Sequence, residues 1–349
     1  MTQPDGVAPG GAAGAEPWQE PVRGGPADPL ALSLSGHDQL LALRDGRVRL
    51  PSNARLTGRR LTAVGEREVT YAMPLSPWLQ GPKGTIHPGV LVLLGDSALT
   101  SAVVTALPPG VIFTTAELSM TYLGEMPRPG GRLLAHARVL HTDDRHGLAV
   151  ADLVGPGGEL LGFGTSRVFL QPPIDLSDMP APPPPPPEPE WGSPDPWERE
   201  LEPGADAAGL PPPHGLEVLR ETAAGGRPRP PIDRLFGITV GGVEEGAITF
   251  EMPASEWFTN ELGMVSGGTL GLLAESATSA AGQTVARPGS PYRALDVKIN
   301  FLQPVPPDGS PIVATGRAVH RGRLVVATTE VIHQGQLVAL ATGSTVLGS

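Results

Sequence analysis

Two stretches of this chain are versions of one another. Residues 84–107, GTIHPGVLVLLGDSALTSAVVTAL, read as a tight loop and then a long, mostly apolar helix with one carboxylate, Asp96, inside it. Residues 263–285, GMVSGGTLGLLAESATSAAGQTV, repeat the pattern with Glu275 at the acid position. The offset is 179 residues, and it also relates Tyr71 to Phe250, Trp78 to Trp257, Gly89 to Gly268, Ala98 to Ala277 and Tyr122 to Phe301. A register held over more than 50 residues without a gap is an internal duplication. A chain of 349 residues built this way folds as two like domains, each large enough for its own core.

Composition narrows the partners. The formal charge is −11 and no run of Lys or Arg occurs, which argues against nucleic acid and anionic membrane. The absence of cysteine removes disulfides, thiolate metal sites and a cysteine nucleophile. The N-terminus lacks a basic-then-apolar signal pattern, and no apolar run is long enough to span a bilayer, so the expectation is a cytoplasmic protein. With 46 Gly and 42 Pro, long irregular segments are expected beside the compact units. These are residues 1–28, read as a disordered tail, and residues 172–213, read as a Pro-rich acidic linker whose six prolines from Pro182 predict a polyproline II spacer. The domains are then 29–171 and 214–349.

Within each domain the periodicities agree. A short helix is expected near residues 29–44, with a counterpart from His214. Arg60 to Met73 and Ile238 to Met252 alternate and are β-branched enough for strands. In the long helix Leu91, Leu94, Ala98 and Ala102 fall at helical spacing, as do Leu270, Leu273, Ala277 and Ala281. Small residues crowd the second half of that helix, which suits one closely embraced by other elements. Strict alternation then begins: Leu118, Met120 and Tyr122 share a face, and so do Val297, Ile299 and Phe301. Three further strand-like runs close each copy. The class is α+β: two copies of a long central helix wrapped by an antiparallel sheet.

At this point each half resembles the hotdog fold, and specifically the PaaI-like acyl-CoA thioesterases. The resemblance covers nearly all of both halves. It rests on the family pattern N-x-x-G-x-x-H-G-G with an acid nine residues after the His, matched, except that Ser266 replaces the His, by Asn260-x-x-Gly263-x-x-Ser266-Gly267-Gly268 and Glu275, and partly by Gly84-x-x-His87-Pro88-Gly89 and Asp96. It implies a double hotdog, the family's two-fold dimer fused into one chain. It also implies thioester hydrolysis without a cofactor other than the coenzyme A of the substrate, an acyl-CoA or acyl-carrier thioester as partner, and no metal. Association of two double hotdogs into a homodimer stays open.

Thioester hydrolysis needs donors for the carbonyl oxygen, a base or nucleophile, and a dry slot for the acyl group. The glycines start the helix, and the acid lies seven or so residues on, about 10 Å along the axis. One helix cannot hold the carbonyl and attack it. Two antiparallel helices can, each site using the loop of one half and the acid of the other. Compared this way, one site combines Asn260, Ser266, Gly267 and Gly268 with Asp96 and the Thr115 hydroxyl. The resemblance makes Asp96 its nucleophile or base, Asn260 and Gly267 its oxyanion donors, and Thr115 the group that orients water. The other combines His87, Pro88 and Gly89 with Glu275; Gly81 lacks the amide of Asn260, Pro88 has no N–H, and Ala294 replaces Thr115. The expectation is a working site at Asp96 and a degenerate one at Glu275. A non-catalytic acyl-CoA or acyl-carrier binder stays open as an alternative, and a dehydratase or hydratase ranks third because His87 lies outside that family's pattern.

Overall fold

The structure, a computed structural model, describes residues 15–176, 180, 182–202, 215–287 and 290–348. The first half runs α1 (Gly36–Arg44), α2 (Ser52–Thr57), β1 (Arg60–Gly65), β2 (Glu68–Pro74), α3 (Gly89–Val104), β3 (Phe113–Tyr122), β4 (Arg132–Thr142), β5 (His146–Val154) and β6 (Leu160–Leu170). The second repeats it as α4 (Gly215–Ala223), α5 (Pro231–Phe236), β7 (Thr239–Glu244), β8 (Ala247–Pro253), α6 (Gly267–Thr284), β9 (Tyr292–Phe301), β10 (Pro311–His320), β11 (Leu324–His333) and β12 (Gln336–Leu347). The single strands expected at 60–73 and 238–252 are hairpins. Arg67, at φ 63°, turns the first, and Gly246, at φ 82°, turns the second.

All twelve strands join one sheet in the order β1-β2-β4-β5-β6-β3-β9-β12-β11-β10-β8-β7. The halves meet at β3 and β9, which pair antiparallel with Ser119 opposite Lys298. The sheet wraps α3 and α6. Both are buried along nearly their whole length, because apolar or small residues occupy every face. Small residues permit the close embrace. A Cβ on Gly316 of β10 would lie 2.2 Å from the Ala277 carbonyl oxygen of α6, so the strand runs against the helix backbone at a distance only glycine allows. The two helices also touch. A Cβ on Gly268 would lie 3.1 Å from the Leu93 Cα, and one on Gly89 would lie 2.4 Å from a Leu272 methyl.

The repeat extends beyond the expected domains. Residues 16–20, EPWQE, recur at the same offset as residues 195–199, DPWER, and each forms a 3-10 turn. Each turn docks on the other half. Ser255 Oγ and Trp257 Nε1 donate to the Trp18 and Glu20 carbonyls, at 3.4 and 2.8 Å. Ser76 Oγ and Trp78 Nε1 donate to the Trp197 and Arg199 carbonyls, at 2.7 and 3.0 Å. Arg199 then pairs with Glu20, strap to strap, and buried Arg23 donates to Asp195 at 3.0 Å. Residues 15–28 are therefore not a disordered tail, and residues 193–199 are more than a spacer. Trp78 and Trp257 supply N–H anchors, and Trp18 and Trp197 supply packed ring area, that the Gly/Pro composition conceals. Residues 1–14 of the expected tail lie outside the described residues.

Candidate active site at the helix N-termini

The antiparallel helices bring the acid of each half to the helix start of the other. Asp96 Oδ2 accepts the Gly268 N–H at 2.7 Å, across the halves. Its Oδ1 is buried without a partner, and burial pushes the carboxyl up to about 6, against the lowering effect of the Gly268 N–H. Ser266 is the N-cap of α6: its Oγ accepts the Thr269 N–H at 3.2 Å. Asn260 Oδ1 accepts the Leu262 and Met264 N–H groups, at 3.0 and 3.2 Å, and so ties up its own loop. Thr115 sits at an irregularity of β3, and no hydrogen bond links it to Asp96. Asp96, Gly267 and Gly268 are thus together, while the Asn260 oxygen and Ser266 hydroxyl are committed locally.

This loop is also covered. Ala27 N–H donates to the Glu261 carbonyl at 2.9 Å, and Asn53 N–H donates to the Thr259 carbonyl at 3.2 Å. Arg59, buried beside them, donates to Asn53 Oδ1 at 2.5 Å and puts its positive charge near Asp96. Tyr71 occupies the region next to α3, its hydroxyl 3.0 Å from Ser101 Oγ.

The other crossing is open. A cavity of about 610 Å³ is lined by Lys83, His87, Tyr122, Glu275, Ser279 and Tyr292, with an apolar wall from Val218, Leu219, Phe250, Val346 and Leu347. None of Asp96, Thr115, Asn260, Ser266, Gly267 or Gly268 lines it. Glu275 is 1% exposed. Its Oε1 accepts the Ser279 hydroxyl at 2.5 Å, and its Oε2 has no hydrogen-bond partner and lies 3.5 Å from His87 Nδ1. Burial pushes Glu275 up to about 7. His87 Nδ1 accepts the Gly89 N–H at 3.1 Å, which puts the imidazole proton on Nε2. Burial and the nearby Lys83 lower His87 to about 4, so it is neutral. The Lys83 ammonium sits 3.7 Å over the Tyr292 ring and donates to the Tyr292 carbonyl at 2.5 Å, and desolvation of that head lowers it to about 8.

A buried carboxylate with one free oxygen, a neutral imidazole and an apolar slot form a site for water-dependent cleavage of a polarised carbonyl. Lys83 and Tyr122 were not singled out from the sequence. The signal was present, since the offset puts Leu262 against Lys83 and Phe301 against Tyr122, each position polar in one copy only. Among the described residues there is no group of three or more acid or His side chains placed to hold a metal, and no helix is long and apolar enough to cross a membrane.

The family model described as the thioesterase superfamily matches residues 83–158 and 262–340, once in each half. No curated protein matches the chain. Among solved structures, the tesB protein of Mycobacterium avium subs paratuberculosis is similar at 12% identity and TM-score 0.51, covering 85% of this chain and 98% of that one. The acyl-CoA thioesterase II TesB2 of Mycobacterium marinum is similar at 11% identity and TM-score 0.51, covering 85% and 96%. A hot dog fold protein from Alicyclobacillus acidocaldarius is similar at 14% identity and TM-score 0.52, covering 85% and 98%. At such identities the likeness is one of fold, and it spans both halves at once. With the thioesterase-superfamily model matched once in each half and one sheet closed around both helices, the chain is a tandem hotdog protein whose two halves are each similar to that superfamily.

Proposed function

We propose that this chain hydrolyses an acyl-CoA thioester in the cavity beside Glu275. The observation that carries this reading is the position of the cavity: it opens onto Glu275 and His87, whereas Asp96 is tied to Gly268 N–H under covering residues. This reading exchanges the roles of the two sites expected from the sequence. Glu275, as base, takes a proton from water. The hydroxide adds to the thioester carbon, the C–S bond breaks, and the thiol leaves with the proton from Glu275, giving one carboxylic acid and one thiol. Ser279 holds one carboxylate oxygen and leaves the other for the water. The apolar wall receives the acyl group. The PaaI-like subclass rests on the loop-to-acid spacing, while the name of the Mycobacterium marinum neighbour, an acyl-CoA thioesterase, favours coenzyme A thioesters in general.

A second reading has one observation behind it. The Gly267–Gly268 helix start, with N–H groups free of proline, faces Asp96 across the halves. Hydrolysis there would need Asp96 to release Gly268 N–H. The test is turnover of a panel of aliphatic and aromatic acyl-CoAs, followed with a thiol reagent, for the parent, Asp96→Asn and Glu275→Gln. The expected result is loss of about 10²-fold or more in kcat for Glu275→Gln and retention for Asp96→Asn. The opposite pattern returns the site to Asp96. Binding of acyl-CoA without turnover on any thioester makes the protein a non-catalytic binder.

A further inference from the structure

The helix start at the cavity beside Glu275 offers no free backbone donor. The adding hydroxide puts negative charge on the thioester oxygen, and a preorganised donor must meet it. At the start of α6 a backbone N–H stands at Gly267. At the start of α3 the same position is Pro88, which has none. The next N–H, that of Gly89, is spent on His87 Nδ1.

The side chain facing this position differs between the copies in the compensating sense. At the closed site the ring tip of Phe301, its Cζ, lies 3.4 Å from where a Cβ on Gly267 would sit, and the Asp96 Oδ1 lies 3.1 Å from the same point. Phe301 therefore ends beside both the helix start and the acid. Its counterpart in the repeat is Tyr122, which carries a hydroxyl on that ring tip. Tyr122 lines the open cavity with Pro88, His87 and Glu275. It is 6% exposed, and its hydroxyl has no hydrogen-bond partner. Glu275 Oε2, lining the same cavity, has none either. A buried unpaired hydroxyl costs stability that the phenylalanine of the other copy avoids. The fold does not need the hydroxyl, because the same fold carries Phe301 at the same place. Phenylalanine stands where the backbone offers an N–H, and tyrosine stands where proline has removed it.

We propose that Tyr122 is a catalytic residue, its hydroxyl donating to the thioester carbonyl oxygen in place of the N–H that Pro88 lacks. The hydrogen bond strengthens as the oxygen becomes an oxyanion, and no proton is transferred. The orphaned Tyr122 hydroxyl and Glu275 Oε2 are then the two ends of one reaction site, the first for the carbonyl oxygen and the second for the attacking water. Burial raises the Tyr122 phenol well above its ordinary value, which favours the protonated donor.

This inference rests on hydrolysis at Glu275, and one set of variants separates the two. Tyr122→Phe reproduces the residue of the other copy and removes only an unpartnered hydroxyl, so the variant should fold with an undiminished melting temperature. With the best acyl-CoA of the panel, Tyr122→Phe is expected to lower kcat about 10²-fold with KM within about threefold. Adding Pro88→Gly restores a backbone N–H at the position it has at Gly267, and the double variant is expected to regain about tenfold in kcat. A merely structural role for Tyr122 would not be rescued by an amide at residue 88. Tyr122→Phe with kcat within about threefold of the parent, or a loss that Pro88→Gly does not relieve, overturns the donor role and leaves the Glu275 reading standing. Turnover that survives Glu275→Gln, or absence of turnover in the parent, overturns both.

Discussion

Ser119 and Lys298 occupy the same position of the repeat and face each other across the β3–β9 pair. The pseudo-two-fold axis of the chain passes between them. Every crossing of the two halves therefore occurs twice, once with each partner's residues exchanged. The reciprocal straps, the two helix starts and the two acids follow from this one pairing. The two sites are built alike and differ only where the two copies of the sequence differ.

The open site should titrate. Glu275 must be ionised to accept a proton from water, and burial raises it to about 7. Activity should therefore fall as pH drops below about 7, following one ionisation. On the alkaline side Lys83, lowered to about 8, loses its charge. An acyl-CoA should then bind less well, so KM should rise above about pH 8. The measurement is kcat and kcat/KM from pH 5 to 9. A kcat flat through pH 7 would remove Glu275 as the base.

Both buried acids cost stability in their ionised forms. Asp96 and Glu275 have folded values, about 6 and about 7, above their ordinary ones. Between the unfolded and folded values the native state holds the extra proton, so stability falls as pH rises through that window and is level beyond it. Asp96→Asn and Glu275→Gln should each stabilise the protein at pH 8 by on the order of 1–3 kcal/mol, with the gain vanishing near pH 4. Denaturant unfolding at the two pH values measures this. Gains equal at both pH values would show that the effect is not ionisation.

The straps predict a paired effect. Gly58 and Gly237 are repeat counterparts with φ of 76° and 65°, each at the C-terminus of a short helix. A Cβ there would lie 2.6 Å from the Trp197 ring on Gly58 and 2.8 Å from the Trp18 ring on Gly237. Gly58→Ala and Gly237→Ala should each cost about 1–3 kcal/mol, through left-handed backbone strain and displacement of a strap. The straps are joined by the Arg199–Glu20 pair, so the double variant should depart from the sum of the single costs. Thermal or urea unfolding reads both, and a neutral single variant would show its strap to be dispensable.

Lys83, Arg293 and Arg323 line the open cavity, where the repeat has Leu262, Thr114 and Asp144 at the counterpart positions. A basic rim at one site only fits the phosphates of coenzyme A. Arg293→Ala and Arg323→Ala should each raise KM for acyl-CoA a few-fold, less at high salt, because exposed charges contribute modestly. A short acyl thioester of N-acetylcysteamine carries no phosphate, and its KM should not move. An equal rise for both substrates would assign the arginines to the fold rather than to the phosphates.

The sequence by itself determined the duplication, the α+β class and the pairing of each helix start with the acid of the other half. These follow from a register of 179 residues, from two periodicities, and from the rise of a helix against the reach of a carboxylate. Its reading failed where composition stood in for contacts. Residues 16–20 and 195–199 carry the repeat, but their Gly- and Pro-rich surroundings hid it, and what orders them is a tryptophan on each side meeting the opposite half. Only the tertiary structure decided which site is open. Asn260, Gly267 and Gly268 match the family pattern best, yet Asn260 Oδ1 and the Ser266 hydroxyl are spent on their own loop, and Arg59 and residues 25–27 lie over it. A linear motif records which groups are present. Whether a group faces a cavity or a neighbour depends on residues distant in sequence, as Asp96 and Gly268 are at 172 positions apart.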